Sequence, residues 1–141
     1  MENIGDSVIS SEPLKVMIVE DESVVAEYIC EELLKAGDIK VAVSGSGTEA
    51  IQFAKRNQPD LALIDIDITT DRFNSVKTAS KLQRLSKSPM LIVFTLTYPQ
   101  SHFPLAMAVD PYVYLNKPFC SEDLKGVLQK AAELKQIHRK V

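Results

Sequence analysis

The sequence predicts an α/β domain, a doubly wound sheet of five parallel strands alternating with five helices, (βα)5. Three observations lead there. Short apolar runs alternate with stretches of helical period along the chain. The run Leu61-Ala62-Leu63-Ile64 is apolar at every position, as in a strand buried on both faces of a parallel sheet, and turn signals bound it at Pro59-Asp60 and Thr69-Thr70-Asp71. Each run also gives way to polar residues, and open α/β sheets bind ligands beyond the carboxyl ends of their strands. Asp65, which ends the Leu61 run, is therefore the candidate centre.

Residues 1–13 are polar, with Gly5 and Pro13 as breakers, and read as a loose tail before a domain over 14–137; residues 138–141 read as a second tail. Leu14 to Val19 is the first strand, ending on Glu20-Asp21. Val25, Ile29, Leu33 and Ala36 recur at helical spacing, with Asp21 or Ser23 to cap the start and Gly37 to end it. Ile39 to Val43 is the second strand. Ser46 and Glu49 fit a capping box ahead of Ala50, Ile51 and Ala54, so a second helix runs to about Asn57.

The third strand ends at Asp65, and a polar loop leads to a third helix marked by Val76, Ala79 and Leu82. Pro89 precedes the fourth strand, Met90 to Thr95. Pro99 and Pro104 then remove backbone donors, so the fourth helix is expected to be short, from Pro104 to Val109, with Pro104 at its first position. Tyr112 to Leu115 is the fifth strand. The last helix carries Leu124, Val127, Leu128, Ala131 and Leu134 on one face, with Ser121 as its candidate cap and Gly126 as a weak point.

With 141 residues, 45% of them apolar, the chain suits one domain that buries its own core. The net charge of −3, with scattered basic residues, lacks the footprint of a nucleic-acid binder. No stretch resembles a signal peptide or a membrane span, so a soluble, cytoplasmic chain is expected. Cys30 and Cys120 match no zinc spacing and read as free thiols.

The strand ends offer five polar groups to one crevice: Glu20 and Asp21 after the first strand, Asp65 on the third, Thr95 on the fourth and Lys117 after the fifth. With them the sequence resembles the response-regulator receiver domains of two-component signalling over residues 14–137. The motifs are Val19-Glu20-Asp21-Glu22, Pro59 to Asp65, the strand-terminal Thr95, and Tyr114-Leu115-Asn116-Lys117-Pro118-Phe119. Asp65 follows Asp21 by 44 positions, Thr95 follows Asp65 by 30, and Lys117 follows Thr95 by 22, as in that family.

The resemblance implies a flavodoxin-like sheet of strand order 2-1-3-4-5. It implies that Asp65 accepts a phosphoryl group from a sensor histidine kinase or histidine phosphotransfer protein and that the domain signals by conformational change. Mg²⁺ would be held by Asp21 and Asp65, by Glu20 partly through water, and by the backbone carbonyl of Asp67, relieving the mutual repulsion of the acids. Lys117 and Thr95 would bind the phosphate, and Tyr114 would be an aromatic switch. The implied chemistry is self-phosphorylation and autodephosphorylation only, with an unnamed protein target downstream and a homodimer through the fourth helix, fifth strand and fifth helix. Asp67 shares a strand face with Asp65 by alternation and is a candidate modulator of dephosphorylation.

Three residues depart from the family pattern. Leu96 stands where a small residue is usual and would narrow the phosphodonor's approach. Ser75 takes the usual glycine position, after a longer loop. Glu20 replaces the commoner Asp. Two alternatives remain: a receiver-like interaction module that is never phosphorylated, and a phosphatase, because Asp65-Ile66-Asp67-Ile68-Thr69 spells the DxDxT of haloacid-dehalogenase-type enzymes. Their motif lies on the first strand with metal-binding acids and a cap or further sheet later, whereas here the acid pair Glu20-Asp21 comes earlier and only 76 residues follow Asp65.

Overall fold

The structure, a computed structural model, describes residues 12–66, 74–96 and 109–140. Nine elements follow in order: β1 (Leu14–Val19), α1 (Ser23–Ala36), β2 (Ile39–Ser44), α2 (Gly47–Asn57), β3 (Leu61–Asp65), α3 (Ser75–Leu85), β4 (Leu91–Leu96), β5 (Tyr112–Asn116) and α4 (Ser121–Lys140). The strands form one parallel sheet of order β2-β1-β3-β4-β5, as the resemblance implied. Four helices lie among the described residues. The short helix expected over 104–109 falls outside them, apart from Val109, which is buried and non-helical.

Side-chain alternation along the strands builds the two faces of the core. Met17, Ala62, Ile64, Ile92 and Phe94 point to the side covered by α2 and α3. Val16, Ile18, Leu61, Leu63, Leu91 and Val93 point to the side covered by α1 and α4, where Ile29, Leu33, Leu124 and Leu128 meet them. All five β3 residues are buried, because both faces are covered.

The helix starts differ from expectation in an instructive way. Ser46 accepts from the Glu49 N–H at 3.2 Å, the cap half of the expected box, while Glu49 reaches back one residue further and accepts from the Gly45 N–H at 2.9 Å. At α1 neither Asp21 nor Ser23 caps; Glu22 occupies the cap position without a side-chain bond. At α4 Ser121 is the first helical residue rather than the cap. Its N–H donates to Glu32 Oε1 of α1 at 2.9 Å, and the Cys120 N–H donates to Asp123 Oδ2 at 3.0 Å. One of these donors is thus satisfied locally, by Asp123, and the other by a partner 89 positions away.

Two polar side chains tie the far end of the sheet. Asp60 Oδ2 accepts from the Lys15 N–H at 2.9 Å and from Lys135 Nζ at 3.2 Å, joining β1, the start of β3 and α4. Gln83 on α3 donates to the Met90 and Pro111 carbonyls at 2.9 and 3.0 Å and accepts from the Asp110 N–H at 2.9 Å. It therefore fixes where β4 and β5 begin.

Candidate functional site

Sheet register brings the predicted residues together. Val19 pairs with Ile64 across β1 and β3, so the residues just beyond β1 stand beside Asp65. Asp65 pairs with Thr95, and Thr95 pairs with Leu115, two positions before Lys117. Parity then chooses the face. Asp65 follows Leu61 and Leu63, Thr95 follows Leu91 and Val93, and Lys117 follows Val113 and Leu115, all on the α1 and α4 side. Tyr114 has the opposite parity.

Glu20, Asp21 and Asp65 each offer a carboxylate oxygen, and these oxygens lie within 4.8 Å of one another. Lys117 Nζ is 3.4 Å from Glu20 Oε1 and 3.5 Å from Asp65 Oδ1. Asp65 and Glu20 are buried, whereas Asp21 is exposed. Burial, and then the charge of Asp65, push the Glu20 carboxyl up to about 7, against the opposing pull of Lys117 and the Glu22 N–H. One ammonium therefore does not balance this cluster. Three hard oxygen donors with excess negative charge fit a divalent cation of the magnesium class.

Thr95 is 1% exposed, and among the described residues its hydroxyl has no hydrogen-bond partner. A buried hydroxyl without a partner is costly unless something else engages it, and here it stands one strand from Asp65. Ser75 is buried at the first position of α3 and donates to the Ile66 carbonyl at 2.9 Å. Its side chain thus anchors α3 to the residue after Asp65, a role glycine has no hydroxyl to fill. Leu96 packs in the α2 and α3 core at 4% exposure. Asp67 lies outside the described residues.

Tyr114 is 43% exposed, with its ring centroid 6.1 Å from Phe94 and 5.6 Å from Tyr112. Sequence reasoning missed two residues near the site, Tyr28 and Glu32 of α1. Tyr28 Oη donates to the Phe119 carbonyl at 2.6 Å, and Glu32 receives the Ser121 N–H. Their spacing of one helical turn was visible, but its target, a loop about 90 residues later, was not.

The sequence model of the response regulator receiver domain family matches residues 16–129. The transcriptional regulatory protein PdtaR of Mycobacterium tuberculosis is 29% identical over 119 residues, which are 84% of this chain and 57% of that protein. The chain thus spans a little over half the length of that relative. The signal receiver domain of a modulated diguanylate cyclase from Desulfovibrio desulfuricans G20 superposes with a TM-score of 0.78 at 28% identity, covering 90% of this chain and 99% of that one. The receiver domain of the sensor histidine kinase PA1611 from Pseudomonas aeruginosa PAO1, with a magnesium ion coordinated in its active-site cleft, shares the fold at a TM-score of 0.69 and 20% identity, covering 84% and 97%. Sheet order, the convergence of strand-end residues and the matched stretch agree: the chain belongs to the response regulator receiver domains of two-component systems.

Proposed function

We propose that Asp65 accepts a phosphoryl group from the phosphohistidine of a sensor histidine kinase or histidine phosphotransfer protein. The supporting observation is the cluster itself, in which Lys117 Nζ lies 3.5 Å from Asp65 Oδ1 and the unpartnered Thr95 hydroxyl stands on the adjoining strand. A carboxylate oxygen of Asp65 attacks phosphorus, the phosphorus–nitrogen bond breaks, and the leaving imidazole takes up a proton. Lys117 pairs with the negative oxygens of the transferring group and Thr95 donates to one of them, where preorganised donors act most strongly.

Glu20, Asp21 and Asp65 would hold Mg²⁺, with the Asp67 carbonyl completing the protein's share. When bound, the ion supplies the positive charge that lets an anionic phosphoryl group approach three acids. Tyr114 is the proposed switch: it lies half-exposed on Phe94, next to Thr95, and an inward turn would follow a shift of Thr95 toward phosphate. Asp67 is assigned a part in orienting water for hydrolysis of the acyl phosphate. The chain's chemistry is confined to self-phosphorylation and autodephosphorylation, and the proposed outputs are a downstream protein target and a homodimer that includes β5 and α4.

Incubation with acetyl phosphate and Mg²⁺, followed by intact mass measurement, tests the reading. One phosphoryl adduct is expected on the wild-type chain and none on Asp65→Asn. Sustained release of phosphate would instead favour a phosphatase, and an unreactive wild-type chain would favour a silent interaction module.

A further inference from the structure

Lys117 acts from the end of β5, and the residues that follow it pass beneath α1 before α4 begins. Its own N–H donates to the Leu96 carbonyl at 2.8 Å, which fixes one side of the loop. The other side hangs on α1. Tyr28 Oη donates to the Phe119 carbonyl at 2.6 Å, and four residues later Glu32 Oε1 accepts from the Ser121 N–H at 2.9 Å. The two helix residues are one turn apart on one face of α1, and the two backbone groups they hold are two residues apart in the loop.

Glu32 is 9% exposed and has a second partner, Lys35 Nζ at 2.9 Å, which steadies its carboxylate. Tyr28 remains 42% exposed, along a groove of about 370 Å³ that also includes Val24, Lys117 and Pro118. Phe119 is buried in the core between α1 and α4. Packing therefore sets the depth of the loop, and the two hydrogen bonds set its slide along α1. Among the described residues their hydrogen bonds go to Phe119, Ser121 and Lys35 rather than to the acids, and the loop they hold is the one that follows Lys117.

We infer that Tyr28 and Glu32 are positioning residues that hold the Lys117 ammonium in register with Asp65 by clamping the β5–α4 loop to α1. This inference rests on the reading of Asp65 as a phosphoacceptor. Removing the Glu32 acceptor leaves a helix N-terminal N–H unpaired and loosens the loop that follows Lys117. Small displacements of a charge-stabilising group cost large rate factors, because the group must meet the charge that develops in transfer.

The test uses the intact chain, with acetyl phosphate as donor and beryllofluoride as phosphate mimic. Glu32→Ala and Tyr28→Phe are each expected to slow phosphorylation and weaken beryllofluoride binding by about tenfold, with Mg²⁺ affinity unchanged. Glu32→Gln keeps an oxygen acceptor and should restore most of the rate. In a Lys117→Ala background, Glu32→Ala should weaken beryllofluoride no further, whereas a merely structural residue would add its own loss. Unchanged rates in both single variants, a parallel fall in Mg²⁺ affinity, or additivity with Lys117→Ala would each overturn the inference. A wild-type chain that takes no phosphoryl group would overturn the phosphoacceptor reading instead.

Discussion

Glu20 is where the site's electrostatics can be measured. Its carboxyl, raised from the model-peptide value of 4.5 to about 7 first by burial and then by Asp65, carries a proton at mildly acid pH that a bound cation must displace. Mg²⁺ affinity should therefore fall as pH drops from 8 to 6, and Glu20→Gln should flatten that part of the profile; calorimetric titration at several pH values checks both. The sign for metal-free stability is the reverse of a salt-bridged acid. Between the unfolded value near 4.5 and the folded value of about 7 the folded state holds the extra proton, so stability decreases as pH rises through that window.

Among the described residues, two buried hydroxyls without a partner form an internal control. Thr78 on α3 and Thr95 on β4 both lack a hydrogen-bond partner, so replacing either by Val removes an unpaired polar group at nearly constant shape. Stability should be unchanged or rise by about 1 kcal/mol in each case, measured by urea unfolding. Only Thr95→Val should also lose beryllofluoride affinity, because only Thr95 stands beside Asp65.

Among the elements, α4 carries an avoidable weakness. Gly126 lies exposed inside the helix, and a Cβ built there meets nothing within 4 Å. The glycine costs backbone entropy without giving close packing in return. Gly126→Ala is expected to stabilise the domain by about 1 kcal/mol, read from denaturant midpoints, with no effect on phosphorylation. By contrast, the α4 start depends on α1 through Glu32 and on Asp123, so changes there reach the Lys117 loop.

For the whole molecule, a cluster of three acids that Lys117 faces among the described residues should couple metal binding to folding. At a Mg²⁺ concentration ten times its dissociation constant, mass action adds about 1.4 kcal/mol, which raises the melting temperature of a chain this size by about 3 to 6 °C. Asp65→Asn should shrink that rise. An equal rise in both proteins, by thermal scan, would place the ion elsewhere.

Much of this was legible in the residues themselves. Apolar runs that end on Glu20-Asp21, Asp65 and Thr95 mark the strands, and their spacing identifies the site, because in a parallel sheet the strand end is both a place in the sequence and an edge of the molecule. Helix periodicity located α1 to α3, and the Ser46 cap on the Glu49 N–H is local enough to be read directly. What only the tertiary structure decided is whatever depends on partners far along the chain. Ser121 looks like a cap but is capped by Glu32, 89 positions away; Gln83 is an ordinary surface glutamine until the sheet delivers three backbone groups to it. Periodicity records which face a residue takes, whereas hydrogen-bond partners across helices, and the burial that pushes Glu20 upward, exist only once the sheet has closed under its helices.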